Sequence, residues 1–157
     1  MKRTERVGAI IKILTDSPCK VFPLQFFCDL FNTAKSSVSE DISIASSSVM
    51  STGTGYIETI AGAKGGARFV PDISDEELIK LQNELCDKLR DHSRILAGDF
   101  LYTSDIFFDA AFTDRLASIF VRKFKDSGAD YVATVETKGI PLAASTARKL
   151  NIPLVVI

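Results

Sequence analysis

Metal-binding and redox side chains are scarce. The 157 residues include three cysteines and one histidine. Cys19, Cys28 and Cys86 are odd in number and show no CxxC spacing, and His92 is the single imidazole. The sequence therefore argues against a metal centre and gives no zinc ligand set. The cysteines read as reduced and mostly buried, in a cytoplasmic protein. Long hydrophobic runs are missing too. Lys12 interrupts the only early apolar run, so no signal peptide is read, and nothing approaches the ~20 apolar residues that span a bilayer. A strong charge of either sign is also lacking. The formal net charge is −1, which as a whole argues neither for nor against nucleic acid. What is present is ordinary for a globular chain, 46% hydrophobic and 25% charged, enough to fill the core of one domain or two small ones. The charge is unevenly placed. Residues 1–71 hold eight Lys/Arg against six Asp/Glu, and residues 72–157 eleven against fourteen.

The N-terminal part is patterned as helices. Val7, Ile10, Ile11 and Leu14 fall at i, i+3, i+4 and i+7 of an amphipathic helix that Asp16-Ser17-Pro18 ends. Arg3 and Arg6 lie near its start. Leu24, Phe27, Cys28 and Phe31 repeat the spacing in a second helix that opens at Pro23. Asn32-Thr33 breaks it and caps a third, from about Ala34 to Met50, whose inner face is Val38, Ile42, Ala45 and Val49. Ser37 and Glu40 have the spacing of a capping box. The other face is small or basic: Lys35, Ser36, Ser39, Ser43 and Ser46. After the loop Ser51–Gly55, Tyr56–Ile60 and Ala67–Val70 read as short strands. Gly62, Gly65 and Gly66 lie between them and Lys64 stands at the tip, a hairpin signal. Three helices and a hairpin with a basic tip outline a winged helix-turn-helix. A recognition helix enters the major groove best without bulk on its leading face, and serine hydroxyls can bond phosphates or base edges. The wing then sets Lys64 and Arg68 against backbone phosphates. Taken alone, the serines also read as solvation of a helix. The order of elements favours DNA.

Ser74 with Glu77 forms a capping box, followed by a Leu78, Leu81, Leu85, Leu89 stripe that fits either an internal core or a dimer seam. Thr113 caps a further helix, with Leu116, Ile119, Phe120 and Phe124 inward, Arg122, Lys123 and Lys125 solvated, and Gly128 at its end. Tyr131–Val135 and Leu154–Ile157 read as buried strands. Between them Pro141 opens a helix striped by Leu142, Thr146 and Leu150, and Asn151 closes it. Strand, helix and strand imply a parallel βαβ unit, whose ligands sit beyond the carboxyl ends of the strands. That place is Thr137-Lys138-Gly139, with a cation, a glycine and free helix N–H groups for a phosphate. The same residues also fit a tight turn with a solvated lysine, and the motif by itself favours that plainer reading.

Thr137-Lys138-Gly139-Ile140-Pro141-Leu142-Ala143 resembles the pyrophosphate-binding loop of the phosphoribosyltransferase fold. A more specific likeness runs along the chain. Ala34-Lys35-Ser36-Ser37-Val38-Ser39-Glu40-Asp41-Ile42, Gly62-Ala63-Lys64-Gly65-Gly66, Ile95-Leu96-Ala97-Gly98 and Tyr102-Thr103-Ser104-Asp105-Ile106 together resemble the purine operon repressors of Gram-positive bacteria. The resemblance implies an α/β chain with a winged helix-turn-helix (1–73), a linking helix (74–96) and a partial phosphoribosyltransferase-type effector domain with a parallel sheet (97–157). It implies a transcriptional repressor of purine synthesis and salvage genes, not an enzyme, that acts as a homodimer on a double-stranded DNA operator. The DNA-binding set would be Arg3, Arg6, Lys35, Ser36, Ser37, Ser39, Lys64 and Arg68. The effector, phosphoribosyl pyrophosphate or a competing purine nucleotide, would meet Phe100, Tyr102, Thr137, Lys138 and Gly139. Phe100 and Tyr102 also read as ordinary core aromatics. The family's acidic pair for the ribose hydroxyls has no match, because Glu40-Asp41 falls in the recognition helix. The chain also stops at Ile157, inside an expected central strand, so a partial chain or truncated gene product is expected, without full effector affinity. Two alternatives stay open, a phosphoribosyltransferase enzyme and a DNA-binding fragment without a working sensor.

Overall fold

A computed structural model describes residues 1–62 and 65–157 and divides the chain into two compact units, 1–72 and 73–157. The first has the order α1 (Arg3–Asp16), β1 (Phe22–Pro23), α2 (Leu24–Phe31), α3 (Lys35–Ser51), β2 (Gly55–Ile60) and β3 (Gly66–Pro71). The expected inner faces meet in one core. Ile10 and Leu14 of α1, Phe27 and Cys28 of α2, and Val38, Ile42, Ala45 and Val49 of α3 are all buried against Phe22, Ile57, Ala67 and Phe69. Burial of each large side chain is worth about 1.5–3 kcal/mol. α3 needs this support. Ser47, Ser48 and Ser51 turn their hydroxyls onto carbonyls three or four residues back, a bonding pattern that competes with helix formation. Tertiary packing and not propensity holds it.

Two expected caps differ. Asn32 does end α2, in the left-handed conformation with φ 46°. The N-cap of α3 is Ala34, which offers no side-chain oxygen. Ser37 and Glu40 lie inside α3, and Glu40 pairs with Arg3 instead of returning to a cap. The hairpin is present: β2 and β3 pair antiparallel with Tyr56 opposite Val70 and Glu58 opposite Arg68. A third strand joins it, β1, with Phe22 opposite Ala67 and Pro23 opposite Gly66. That approach explains Gly66. A Cβ there would collide with the Phe22 carbonyl oxygen.

The second unit contains α4 (Asp75–Leu89), a 3₁₀ turn at His92–Arg94, β4 (Ile95–Leu96), β5 (Phe100–Leu101), α5 (Ser104–Phe107), α6 (Ala110–Phe124), β6 (Val132–Thr134), α7 (Ile140–Leu150) and β7 (Leu154–Val156). Ser74 Oγ accepts from the Glu77 N–H at 3.1 Å, as the sequence predicts. Leu81 is buried with Ile106, Phe112 and Leu116, so the leucine stripe of α4 packs inside the unit. The cap of α6 is Asp109, which accepts from the Phe112 N–H at 3.0 Å. Thr113 sits one turn on, buried, and donates to the Phe107 carbonyl at 2.9 Å. Arg122 is not solvated: it donates to the Ile73 carbonyl and pairs with Asp75. Cys28 is buried as expected, but Cys86 is exposed.

β6 and β7 pair in parallel with Ala133 opposite Val155, and α7 crosses between them. These strands are less buried than their composition suggests. Val135, Val155 and Val156 are exposed, as are Phe120 and Phe124 of α6. The sheet has two strands, β6 and β7. α6, α7 and β6 border an open apolar cavity of about 400 Å³. Among the described residues no helix is long and apolar enough to cross a membrane.

Candidate nucleic-acid interface and effector loop

The turn Asn32-Thr33-Ala34 sets α3 after α2. The buried stripe of α3 then directs Lys35, Ser36, Ser39 and Ser43 outward, all exposed. Ser36, Ser39 and Ser43 follow at i, i+3 and i+7, on one helical face. Their hydroxyls, unlike those of Ser47, Ser48 and Ser51, have no bond to another described residue. Ser37 is half-buried on the flank. Ser46 turns inward and donates to the Ile57 carbonyl at 3.4 Å, tying α3 to the hairpin. The exposed face thus offers one ammonium and three uncommitted hydroxyls, bordered by the exposed Glu40 carboxylate that pairs with Arg3.

The arginines are placed differently from a set of open phosphate contacts. Arg6 Nε meets Asp41 Oδ2 at 2.6 Å and Arg3 Nε meets Asp41 Oδ1 at 3.1 Å. Arg3 Nη2 also reaches Glu40 at 2.9 Å. Asp41 is fully buried. Sequence reasoning missed this cluster, although a signal existed: position 41 stands three after Val38 and four before Ala45, on the apolar stripe. In the wing, Arg68 Nε bonds Glu58 across the strand pair at 2.6 Å. That bond, helped by the Glu58 charge, holds the Arg68 pKa above its ordinary value. Lys64, expected at the wing tip, lies outside the described residues.

In the second unit the structure brings two of the expected effector residues together. The Lys138 ammonium stands over the Tyr102 ring, 5.8 Å from its centroid. Tyr102 is 43% exposed and Phe100 72%, so neither is a core aromatic. Beneath them Arg94 grips Asp105 with two bonds of 2.7 and 2.8 Å and donates to the Tyr102 carbonyl at 3.3 Å. The Arg94 hydrogen bond lowers the Asp105 pKa, and the same bond raises that of Arg94. In the loop after β6, the Glu136 N–H donates to Ile157 at 2.9 Å and the Thr137 N–H to Val135 at 2.7 Å. The Lys138 and Gly139 N–H groups meet no acceptor among the described residues. Gly139 has an ordinary φ of −75°. Its missing Cβ matters because one would stand 3.1 Å from Thr134 Oγ1. Pro141 occupies the first turn of α7, as expected. Among the described residues no cluster of His, Cys, Asp or Glu is placed to hold a metal ion.

Helix, strand, helix, tight turn, helix and antiparallel hairpin define the first unit as a winged helix-turn-helix domain of the DNA-binding class. Residues 2–71 match the family described as bacterial purine repressor, N-terminal. That match covers the first unit. Along its whole length the chain is 36% identical to a probable purine biosynthesis transcriptional regulator of Streptococcus pneumoniae. It is 34% identical to a purine biosynthesis transcriptional activator of Lactococcus lactis, again over the whole chain. Over 99% of its length it is 33% identical to a purine biosynthesis transcriptional repressor of Bacillus subtilis. It spans 57%, 58% and 55% of those three proteins.

Proposed function

We propose that this chain is a DNA-binding regulator of purine synthesis and salvage genes, acting on a double-stranded operator as a homodimer. The observation that carries the proposal is the outward face of α3, where Lys35 and three unengaged serine hydroxyls stand together in a domain of the purine repressor family. Hydroxyls of this kind bond base edges or phosphates, and the lysine adds charge neutralisation. Ser37 flanks them, and Lys64 and Arg68 extend the contact through the wing. Arg3 and Arg6 brace α3 through Asp41, and Arg3, with half of its side chain exposed, is proposed to meet a flanking phosphate as well.

The second unit is proposed to be a phosphoribosyltransferase-type sensor, located in the cytoplasm, for phosphoribosyl pyrophosphate or a purine nucleotide. Support comes from the parallel βαβ unit, the two open amides at Lys138 and Gly139, and the convergence of Tyr102 on Lys138. The relatives are named both activator and repressor, so one fold serves either sign. Repression is the sign proposed here, and it requires the effector to bind the free and DNA-bound states with different affinity. A gel-shift series on a purine-gene promoter tests this, with and without phosphoribosyl pyrophosphate. A retarded complex whose midpoint moves with effector is expected. A midpoint that does not move, with no heat on titration of millimolar effector, would reduce the chain to a DNA-binding fragment. Turnover of a purine base with phosphoribosyl pyrophosphate would instead make it an enzyme.

A further inference from the structure

Asp41 is a charged residue at a core position, and its role is not explained by packing. It has no exposed surface, while its neighbours Val38, Ile42 and Ala45 are apolar and buried. Each carboxylate oxygen takes a different guanidinium of α1, Arg3 at 3.1 Å and Arg6 at 2.6 Å. Arg3 continues to Glu40 at 2.9 Å, and Arg6 to the Met1 carbonyl at 3.2 Å. The four side chains balance in charge. At its buried centre, Asp41 with Arg6, an ion pair of this kind often stabilises a fold no better than apolar side chains of similar volume. What it supplies is direction. Apolar contacts between α1 and α3 are non-directional and tolerate small slides, whereas charge-assisted N–H···O bonds fix distance and angle.

The cluster also stands at the end of α3 that carries Lys35, Ser36 and Ser39. Asp41 lies six residues from Lys35, about 9 Å along the helix axis. A tilt of about 10° pivoting at Asp41 would move Lys35 by about 1.5 Å, beyond the ~0.5 Å that a binding constellation tolerates. We infer that Asp41 is a positioning residue for DNA reading: through Arg3 and Arg6 it fixes the inclination of α3 on α1, and so sets sequence discrimination without touching the duplex.

The inference rests on α3 being the reading helix, and the test separates the two. The full chain is titrated by fluorescence anisotropy against a purine-gene promoter duplex and a scrambled duplex of equal length, over a salt series. If the parent holds both duplexes equally, the DNA-reading role itself fails. With a discriminating parent, three variants decide. Asp41→Asn removes the charge and keeps the shape. The triple variant Arg3→Met, Arg6→Met, Asp41→Leu replaces the cluster with apolar side chains. Both should lose about tenfold in the promoter-to-scrambled ratio. Arg6→Lys keeps the charge but not the planar fork, and should lose about threefold. A merely structural role would lower the melting temperature and leave the ratio intact well below it. A folded variant with the parent's ratio overturns the proposal, and Arg6→Lys decides the matter even if the other two do not fold.

Discussion

Arg94 and Asp105 show how a single pair makes the effector side of the molecule sensitive to acid. Asp105 ionises below the ordinary aspartate range because Arg94 donates two hydrogen bonds to its charged form. A lowered folded-state pKa gives stability that is present above the unfolded value of about 3.9 and lost as pH falls through the folded one. Asp105→Asn should therefore lower the melting temperature of the second unit by a constant amount between about pH 7 and pH 5. The gap from the parent should close below about pH 4. A gap that stays constant as pH falls below the unfolded value and never begins to narrow would show that the pair is not the cause. On the DNA side, Lys35→Ala should weaken binding to every duplex and reduce the salt slope by about one. Ser36→Ala and Ser39→Ala should instead lower affinity for the promoter alone, by about 1 kcal/mol each. Equal losses on promoter and scrambled duplexes would remove those serines from base reading.

Among helices and strands, the sequence was most legible where one periodicity dominates. The inner faces of α1, α2 and α3 follow the 3.6-residue repeat, and all three helices form where it predicts. β1 was not legible, since two residues carry no period and the strand exists only because Gly66 lets β3 approach Phe22. Gly66→Ala should cost about 3 kcal/mol by overpacking, read as a drop in urea midpoint. A loss of under about 0.5 kcal/mol would contradict the close approach of the two backbones. The cap of α6 was misread because Asp109 and Thr113 are both good cap residues one turn apart, and only burial of Thr113 decides between them. Charges were the hardest to place. Arg6 read as DNA-facing and Arg122 as solvated, whereas Arg6 engages Asp41 of α3 and Arg122 engages Asp75 and the Ile73 carbonyl. Sequence spacing identifies which face a residue occupies; it does not supply the opposing charge that allows burial.

The molecule as proposed joins a reader of duplex DNA in residues 1–72 to a sensor unit in residues 73–157. The first unit has its own core, drawn entirely from within it, so residues 1–72 alone should fold cooperatively and bind duplex. A non-cooperative melt of that fragment would show that the core is insufficient by itself. DNA reading by α3 is probed most sharply by a footprint of the full chain on a purine-gene promoter, repeated with the Lys35→Ala, Ser36→Ala, Ser39→Ala variant. A discrete protected site is expected, and it should become diffuse or vanish in the variant while the protein stays folded. An unchanged footprint would contradict this, because the outward face of α3 would then have no part in reading DNA.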